Sequence, residues 1–329
     1  MNLTGHQTDF TGTMMRSSQR LLGALLLLCS ALSGTAVAAA ADWTPTEVAP
    51  DVYALIGPTG PRTADNDALN CNLGIVVTRQ GVILIDSGAS RVGARRIEQA
   101  VRAVTDRPVR WVINTGSQDH RWLGNGYFAE QGAEIIALER TVETQRAYAE
   151  RHLDNLRTVL GARLGGTRPL TAPDPIAGDH ARLSLGGTDL ELIRLGDAHF
   201  PGDAVVWLPA QRVLFSGDLV YTDRLLGVLP DSHVRSWQAA FQRMEALQPA
   251  VIVPGHGAPG DLAKARADTG DYLDWLVAEV GGAQADWEPL DEVVDRLSDA
   301  PQFSRLEHFD TLHRSNINRA YLDFERGAD

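Results

Sequence analysis

From Val52 onward, short β-branched and aliphatic runs alternate with longer stretches whose apolar positions recur at helical spacing, the pattern of a layered α/β domain. The spacing predicts strands over 52–55, 72–78, 82–86, 110–114, 135–138, 190–195, 204–208, 213–216 and 251–253, most of them bounded by Gly, Pro, Asn or Asp. Helices are predicted over 92–104, 122–131, 142–160, 235–247, 262–280 and 312–324. Arg79-Gln80-Gly81 and Pro209-Ala210-Gln211 read as tight hairpin connections, and each is followed by a strand running into small residues with an aspartate, Asp86-Ser87-Gly88 and Ser216-Gly217-Asp218. Two β-rich halves with one rhythm imply an internally duplicated sandwich, sheets inside and helices outside. The Gly-, Pro-, Thr- and Ala-containing stretch 161–178 joins them. No short-period repeat is present, which excludes a solenoid.

Residues 1–41 have another character. Arg16 and Arg20 precede an uncharged, largely apolar run over 21–32, too short to span a bilayer comfortably, and Ala36-Val37-Ala38 supplies the A-x-A pattern of a signal-peptidase site. A cleaved signal peptide at 1–41, a single domain at 42–329 and a periplasmic location are therefore expected, with Met14-Met15 a more ordinary start than Met1. Leu28 before Cys29 does not fit a lipobox, so no membrane anchor is expected. The full chain carries a net charge of −12; without residues 1–41, which hold two Arg and one Asp, 28 basic groups face 41 acidic ones and the net is −13. Such acidity argues against nucleic acid or an anionic membrane as partner. Of two cysteines only Cys71 lies in the domain, so no internal disulfide can form and the core must hold the fold. Nothing places a base beside Cys71, which reads as a buried, inert thiol.

The chemistry collects where strands end. Strand 110–114 runs into Thr115-Gly116-Ser117-Gln118-Asp119-His120-Arg121. Strand 190–195 runs into Gly196-Asp197-Ala198-His199-Phe200-Pro201-Gly202-Asp203. Strand 213–216 meets Gly217-Asp218, and strand 251–253 meets Pro254-Gly255-His256-Gly257. Imidazoles and carboxylates held on rigid strand ends are how hydrolases grip a divalent ion while leaving a position open for water. One such residue is more often a helix cap or a surface group; four in series, each just past a strand end and near a glycine, are not readily filler.

This series resembles the metallo-β-lactamase superfamily over nearly all of residues 42–329. That resemblance implies an α/β fold, a four-layer αββα sandwich. His199-Phe200-Pro201-Gly202-Asp203, Gly217-Asp218 and Pro254-Gly255-His256-Gly257 match the superfamily's motifs directly, and Asp86 matches its early LIDSG strand end. The first ligand loop departs: where the superfamily has NTHxHxDHxxGN, this chain runs from Asn114 to Asn125 without either leading histidine. A one-residue slip keeps the Asp-His pair as Asp119-His120. The ungapped match instead sets Gln118 on the second histidine, His120 on the aspartate and Arg121 on the last histidine. In the slipped register, which we take as the expectation, the resemblance implies Asp119, His120, Asp218 and His256 around one metal, with Asp119 also the catalytic proton acceptor. His199 and a shared oxygen of Asp218 are what remains for a second ion, unless Gln118 adds an oxygen. One tightly held Zn2+ and a weak or absent second are expected. Asp86 is read either as the acceptor for a ligand imidazole's other N–H or as a turn former.

Within the superfamily, the run Gln118 to Phe128 and the closing Asn316 to Tyr321 resemble the quinoprotein relay system zinc metallohydrolases. This implies a small-molecule ester, thioester, lactone or related carbonyl substrate and a periplasmic quinoprotein (PQQ) dehydrogenase system as partner. A non-catalytic metal-binding accessory protein is the alternative. β-Lactam hydrolysis is disfavoured, because Val220 and Tyr221 stand where a carboxylate-anchoring lysine often lies. Tyr221 and Arg224 are candidates to meet an anionic substrate. Trp122 is read as core, His152 and His180 as surface, His233 as part of a helix start, and His308 and His313 as structural.

Overall fold

The computed structural model describes residues 43–327, so the expected signal segment lies outside the described residues. Two mixed sheets form the middle. The first has the order β1 (Thr46–Ala49), β2 (Val52–Leu55), β3 (Leu73–Thr78), β4 (Gly81–Ile85), β5 (Val109–Ile113) and β6 (Glu134–Ile136). It is antiparallel as far as β4 and parallel from there to β6. The second runs, from one edge, β11 (Val251–Val253), β10 (Val213–Phe215), β9 (Val205–Leu208), β8 (Thr188–Ile193) and β7 (His180–Leu185), antiparallel except for the β10–β11 pair.

Strand periodicity sorts the core into layers. All five residues of β4 are buried: Ile83 and Ile85 meet the facing sheet's Leu192, Val206 and Phe215, whereas Val82 and Leu84 meet helix α1 (Arg91–Val104) through Ile97 and Val101. On β10, Val213 and Phe215 enter the space between the sheets and Leu214 enters the opposite cluster. A strand buried on both faces must be apolar at every position, which is why these runs read as continuous rather than alternating. After the short helices α2 (Asp119–Trp122) and α3 (Asn125–Ala129), the long helix α4 (Glu139–Leu160) adds Val142 to the cluster of α1 and the first sheet and packs Leu153, Leu156 and Leu160 with Trp122 and Leu123. On the second sheet's outer face, α5 (Val234–Glu245) presents Trp237, Phe241 and Met244, one stripe at helical spacing. The terminal helix Phe309–Arg326 adds Ile317, Ala320, Tyr321 and Phe324 to that cluster. Helix, sheet, sheet, helix is the expected four-layer αββα architecture.

Several elements depart from expectation. β1 and β7 were not predicted; both are edge strands, and β7 alternates exposed and half-buried residues, so its pattern carries little apolar signal. The helix predicted over 122–131 is two pieces, because Gly124 donates its N–H to the Gly88 carbonyl and packs so closely on Ser87 that a Cβ would lie 2.0 Å from its oxygen. The helical stretch 262–285 alternates α and π turns, and the helix Leu290–Arg296 was unforeseen. His180 opens β7 and pairs with Glu191 at 2.7 Å. His152, expected at the surface, is buried beside Tyr148 and Phe200, since it falls on the same α4 face as Leu153 and Leu156. No helix among the described residues is long and apolar enough to cross a membrane.

The two sheets meet closely at Phe215, whose ring lies so near Gly74 that a Cβ there would sit 2.4 Å from it. Truncating Phe215→Ala is expected to destabilise the domain by about 3–5 kcal/mol, read as a lowered urea midpoint at unchanged slope.

Candidate metal centre

Among the described residues, one group of His, Cys, Asp or Glu side chains offers three ligand atoms within 4.8 Å of one another: His120, Asp218 and His256, all buried. His120 comes from α2 just past β5, Asp218 from the turn after β10, and His256 from the loop after β11. His120 Nε2 lies 3.0 Å from Asp218 Oδ2, and His256 Nε2 lies 3.3 Å from Asp218 Oδ1. Four ligands set tetrahedrally at zinc–ligand bonds of about 2.0–2.1 Å stand roughly 3.3 Å apart, so the separations suit an ion among them.

The hydrogen bonds behind the rings make a stronger test. His256 Nδ1 donates to the Asn70 carbonyl at 2.9 Å, which fixes its proton there and turns the lone pair of Nε2 toward a carboxylate oxygen. Two lone pairs then face each other, a repulsion relieved only by a cation between them. A proton is a poor choice, because burial brings the His256 imidazolium down to about 3 even with Asp218 beside it. His120 is similarly placed between Asp218 and Asp119, whose Oδ1 is 3.2 Å from its Nδ1. The donor set therefore fits a divalent cation held by two imidazoles and a carboxylate.

Beneath the ligands lies Arg121, whose side chain is 1% exposed. It grips Asp218 with two nitrogens, Nε at 3.1 Å from Oδ2 and Nη2 on Oδ1, while Nη1 reaches Asp86 at 3.1 Å and the Asn72 carbonyl at 2.9 Å. Against the cost of burial, Arg121 and then His120 hold Asp218 well below the usual carboxylate range, so it stays ionised. Gly255 permits this approach: a Cβ there would be 2.6 Å from both the Arg121 guanidinium and the Asp218 carboxylate.

Asp119, expected in the ligand set, is not part of this group of three. Its carboxylate pairs with Arg62, accepts the His120 backbone N–H at 2.8 Å and faces His120 from the side away from Asp218. Burial alone would raise its pKa, but Arg62 and then His120 carry it far below the usual range. His199 is also apart from the three: its Nε2 is 3.2 Å from Gln118 Oε1 and burial lowers it to about 4. These neighbours follow the ungapped register, with Gln118 against His199 and His120 in the aspartate's place. Asp86 touches no imidazole; with φ at 63° it accepts from the Thr115 N–H and hydroxyl and from Arg121.

Other expected residues fall as follows. Cys71 is fully buried with its thiol pushed up to about 12, chiefly by burial, and so is inert. Trp122 is core, and its indole N–H donates to the Ser117 carbonyl at 2.9 Å, pinning the loop that carries the centre. Tyr221 stacks on His256 at 5.0 Å, and Arg224 lies over Tyr221. His233 is the residue before α5 and pairs with Asp323; His313 bonds Tyr272 and the Leu297 carbonyl. Arg121 as a strut, Asp119 as an orienting group and Arg62 as its partner were missed, since no spacing rule brings residue 62 to residue 119.

The helix–sheet–sheet–helix sandwich carries its His–Asp–His cluster past the strand ends, where a candidate metal centre belongs. The family model of the Metallo-beta-lactamase superfamily matches residues 66–256, and the chain belongs to that superfamily. It is 30% identical over 179 residues to 2,4-dinitroanisole O-demethylase subunit alpha of Nocardioides sp. (strain JS1661), a match covering 54% of this chain and 49% of that one. It is 25% identical over 195 residues to Metallo-beta-lactamase type 2 of Bacteroides fragilis, covering 56% and 68% respectively. The chain thus spans about half the length of the demethylase subunit and about two thirds of the Bacteroides protein. Among solved structures, the metallo-beta-lactamase from Pontibacter korlensis superposes with a TM-score of 0.56 at 25% identity, over 70% of this chain and 98% of that one.

Two measurements check this geometry. Arg121→Ala strands two buried carboxylates and is expected to cost about 3–5 kcal/mol of stability, seen in denaturant unfolding. In zinc titrations, His256→Ala is expected to lose tight binding, while Asp119→Ala keeps the stoichiometry with affinity reduced about 10–100-fold, the effect of removing an orienting partner. Loss of the ion in Asp119→Ala would instead make Asp119 a ligand.

Proposed function

We propose that this protein is a zinc-dependent hydrolase with one tightly held ion, acting on an ester, thioester, lactone or related carbonyl compound. The observation that carries the reading is the opposed lone pairs of His256 Nε2 and Asp218 Oδ1, 3.3 Å apart, which call for a cation. His120, Asp218 and His256 would hold it, and when bound such an ion polarises a carbonyl and lowers the pKa of water to about 7. The residues around it have separate tasks. Asn70 and Asp119 aim the two imidazoles from behind, and Arg121 fixes the Asp218 carboxylate in one orientation. Gln118, held by His199, brings an amide whose N–H groups suit developing negative charge on a carbonyl oxygen. With Gly116 and Gln118 in place of the two histidines, the second metal position keeps His199 alone of its imidazoles, which supports a single ion.

We place its action in the periplasm, beside a quinoprotein dehydrogenase system and on a reactive small-molecule product of that oxidation. The support is the signal-like segment 1–41 and the resemblance of residues 118–128 and 316–321 to the quinoprotein relay metallohydrolases. Turnover of a generic panel of esters and thioesters by the zinc-loaded domain tests the hydrolase reading. His256→Ala, which removes a ligand, is expected to lower kcat/KM by about a hundredfold or more. Equal residual rates in the wild type and His256→Ala would instead favour a metal-binding accessory protein.

A further inference from the structure

Helix α4 runs past the metal centre and fastens to the loops on either side of it. Near its start the Thr141 hydroxyl donates to the Gly202 carbonyl at 2.6 Å; one turn on, Gln145 donates to the Gly116 carbonyl at 3.1 Å; further along, Leu153 and Leu156 pack with Trp122. His152 shares the stripe of Gln145 and Leu156, so it stands alongside the stretch between Gly116 and Trp122 that carries Gln118, Asp119 and His120. From the other side comes the loop after β8. There the Phe200 ring lies 6.1 Å from the His152 ring, and its neighbour His199 is hydrogen-bonded to Gln118. His152 and Asp119 each feel the other's charge.

The His152 ring is braced but not bonded. Tyr148, one turn earlier, stacks on it at 5.9 Å, and Tyr148 is itself pinned, donating to Asp231 at 2.7 Å with the Arg151 guanidinium 4.2 Å from its ring centroid. Yet no hydrogen bond reaches His152 from any described residue, although it is only 6% exposed and its Nδ1 is fully buried. Burial, outweighing the Asp119 carboxylate, brings its pKa down to about 4, so at neutral pH the ring carries one N–H and one lone pair, both unanswered. Packing alone would be served by an apolar ring without that desolvation cost. A buried, unpartnered imidazole next to a candidate reaction centre marks where a ligand's polar group belongs.

We propose that His152 is a specificity-determining contact of this centre, the hydrogen-bond partner of a hydroxyl group that the substrate carries away from its reacting carbonyl. A hydroxyl both donates and accepts, so it pairs with the imidazole in either tautomer. A charged group gains little in that place, because Asp119 and Arg62 already answer each other. A compound lacking the hydroxyl leaves the buried imidazole unpaired, and that penalty is what discriminates against it. That the hydroxyl compound is a substrate rests on the hydrolase reading; its binding at His152 does not.

Calorimetric titration of the zinc-loaded domain with uncharged amides, which report binding without turnover, separates the two. 3-Hydroxybutanamide or 4-hydroxybutanamide is expected to bind about tenfold more tightly than butanamide. His152→Phe, which keeps the ring stack, is expected to abolish that preference, His152→Gln to keep part of it, and His180→Phe, on the edge strand β7, to leave it intact. Equal binding of all three amides, or an unaltered preference in a folded His152→Phe, would overturn the proposal. Should His152→Phe not fold, the imidazole 15N shifts of His152 in the wild type decide: they move when the hydroxyamide is added, and stationary shifts sink the assignment. Hydrolysis of ethyl 3-hydroxybutyrate is followed in parallel. Selective binding without hydrolysis refutes the hydrolase reading and leaves the His152 contact standing; hydrolysis without selective binding does the reverse.

Discussion

The Arg121–Asp218 pair is the contact on which the centre is built. Arg121 leaves α2 and enters a space closed by the ends of strands from both sheets: Asn72 ahead of β3, Asp86 after β4, Asp218 after β10 and Gly255 after β11. Burying a guanidinium is costly, and a buried ion pair contributes little net stability by itself. What it supplies here is position. One planar cation with donors in a fixed fork sets the Asp218 carboxylate in a single plane, and that plane faces both imidazoles.

The charges around it explain why the site suits a cation. Arg121 meets Asp218 and Asp86, so two buried carboxylates share one guanidinium, while Asp119 has its own partner in Arg62. Burial first, and then the like charge of Asp218, push the Asp86 carboxyl upward. The remaining negative potential is directed at the point where the His120 and His256 nitrogens converge. Imidazoles aimed by Asp119 and by the Asn70 carbonyl complete a pocket in which added positive charge is the missing electrostatic element.

The same arrangement divides the loop's former duties. A superfamily loop with two leading histidines carries imidazoles on two metal positions; this one retains His120 for one position and leaves Gln118 hydrogen-bonded to His199 at the other. Gly116 has little room for more, since a Cβ there would lie 3.2 Å from Asp203.

Much of the framework was legible in the chain itself. Runs buried on both faces, such as β4 and β10, are apolar throughout and announce central strands, and a His or Asp just past each strand end marks the rim where chemistry collects. The edge strands β1 and β7 were not legible, because half their residues meet solvent and neither carries a run of buried apolar positions. The ligand set was legible only in part. Residues 119–122 form a single helical turn, and with about 100° between successive side chains each points a different way: Asp119 to Arg62, His120 to the metal position, Arg121 beneath it, Trp122 into the core. Local sequence determined that this turn carries the chemistry. Its rotation was decided by tertiary contacts, by Arg121 on Asp218 and by Gly124 pressed on Ser87, because no local propensity distinguishes one phase of so short a helix from the next.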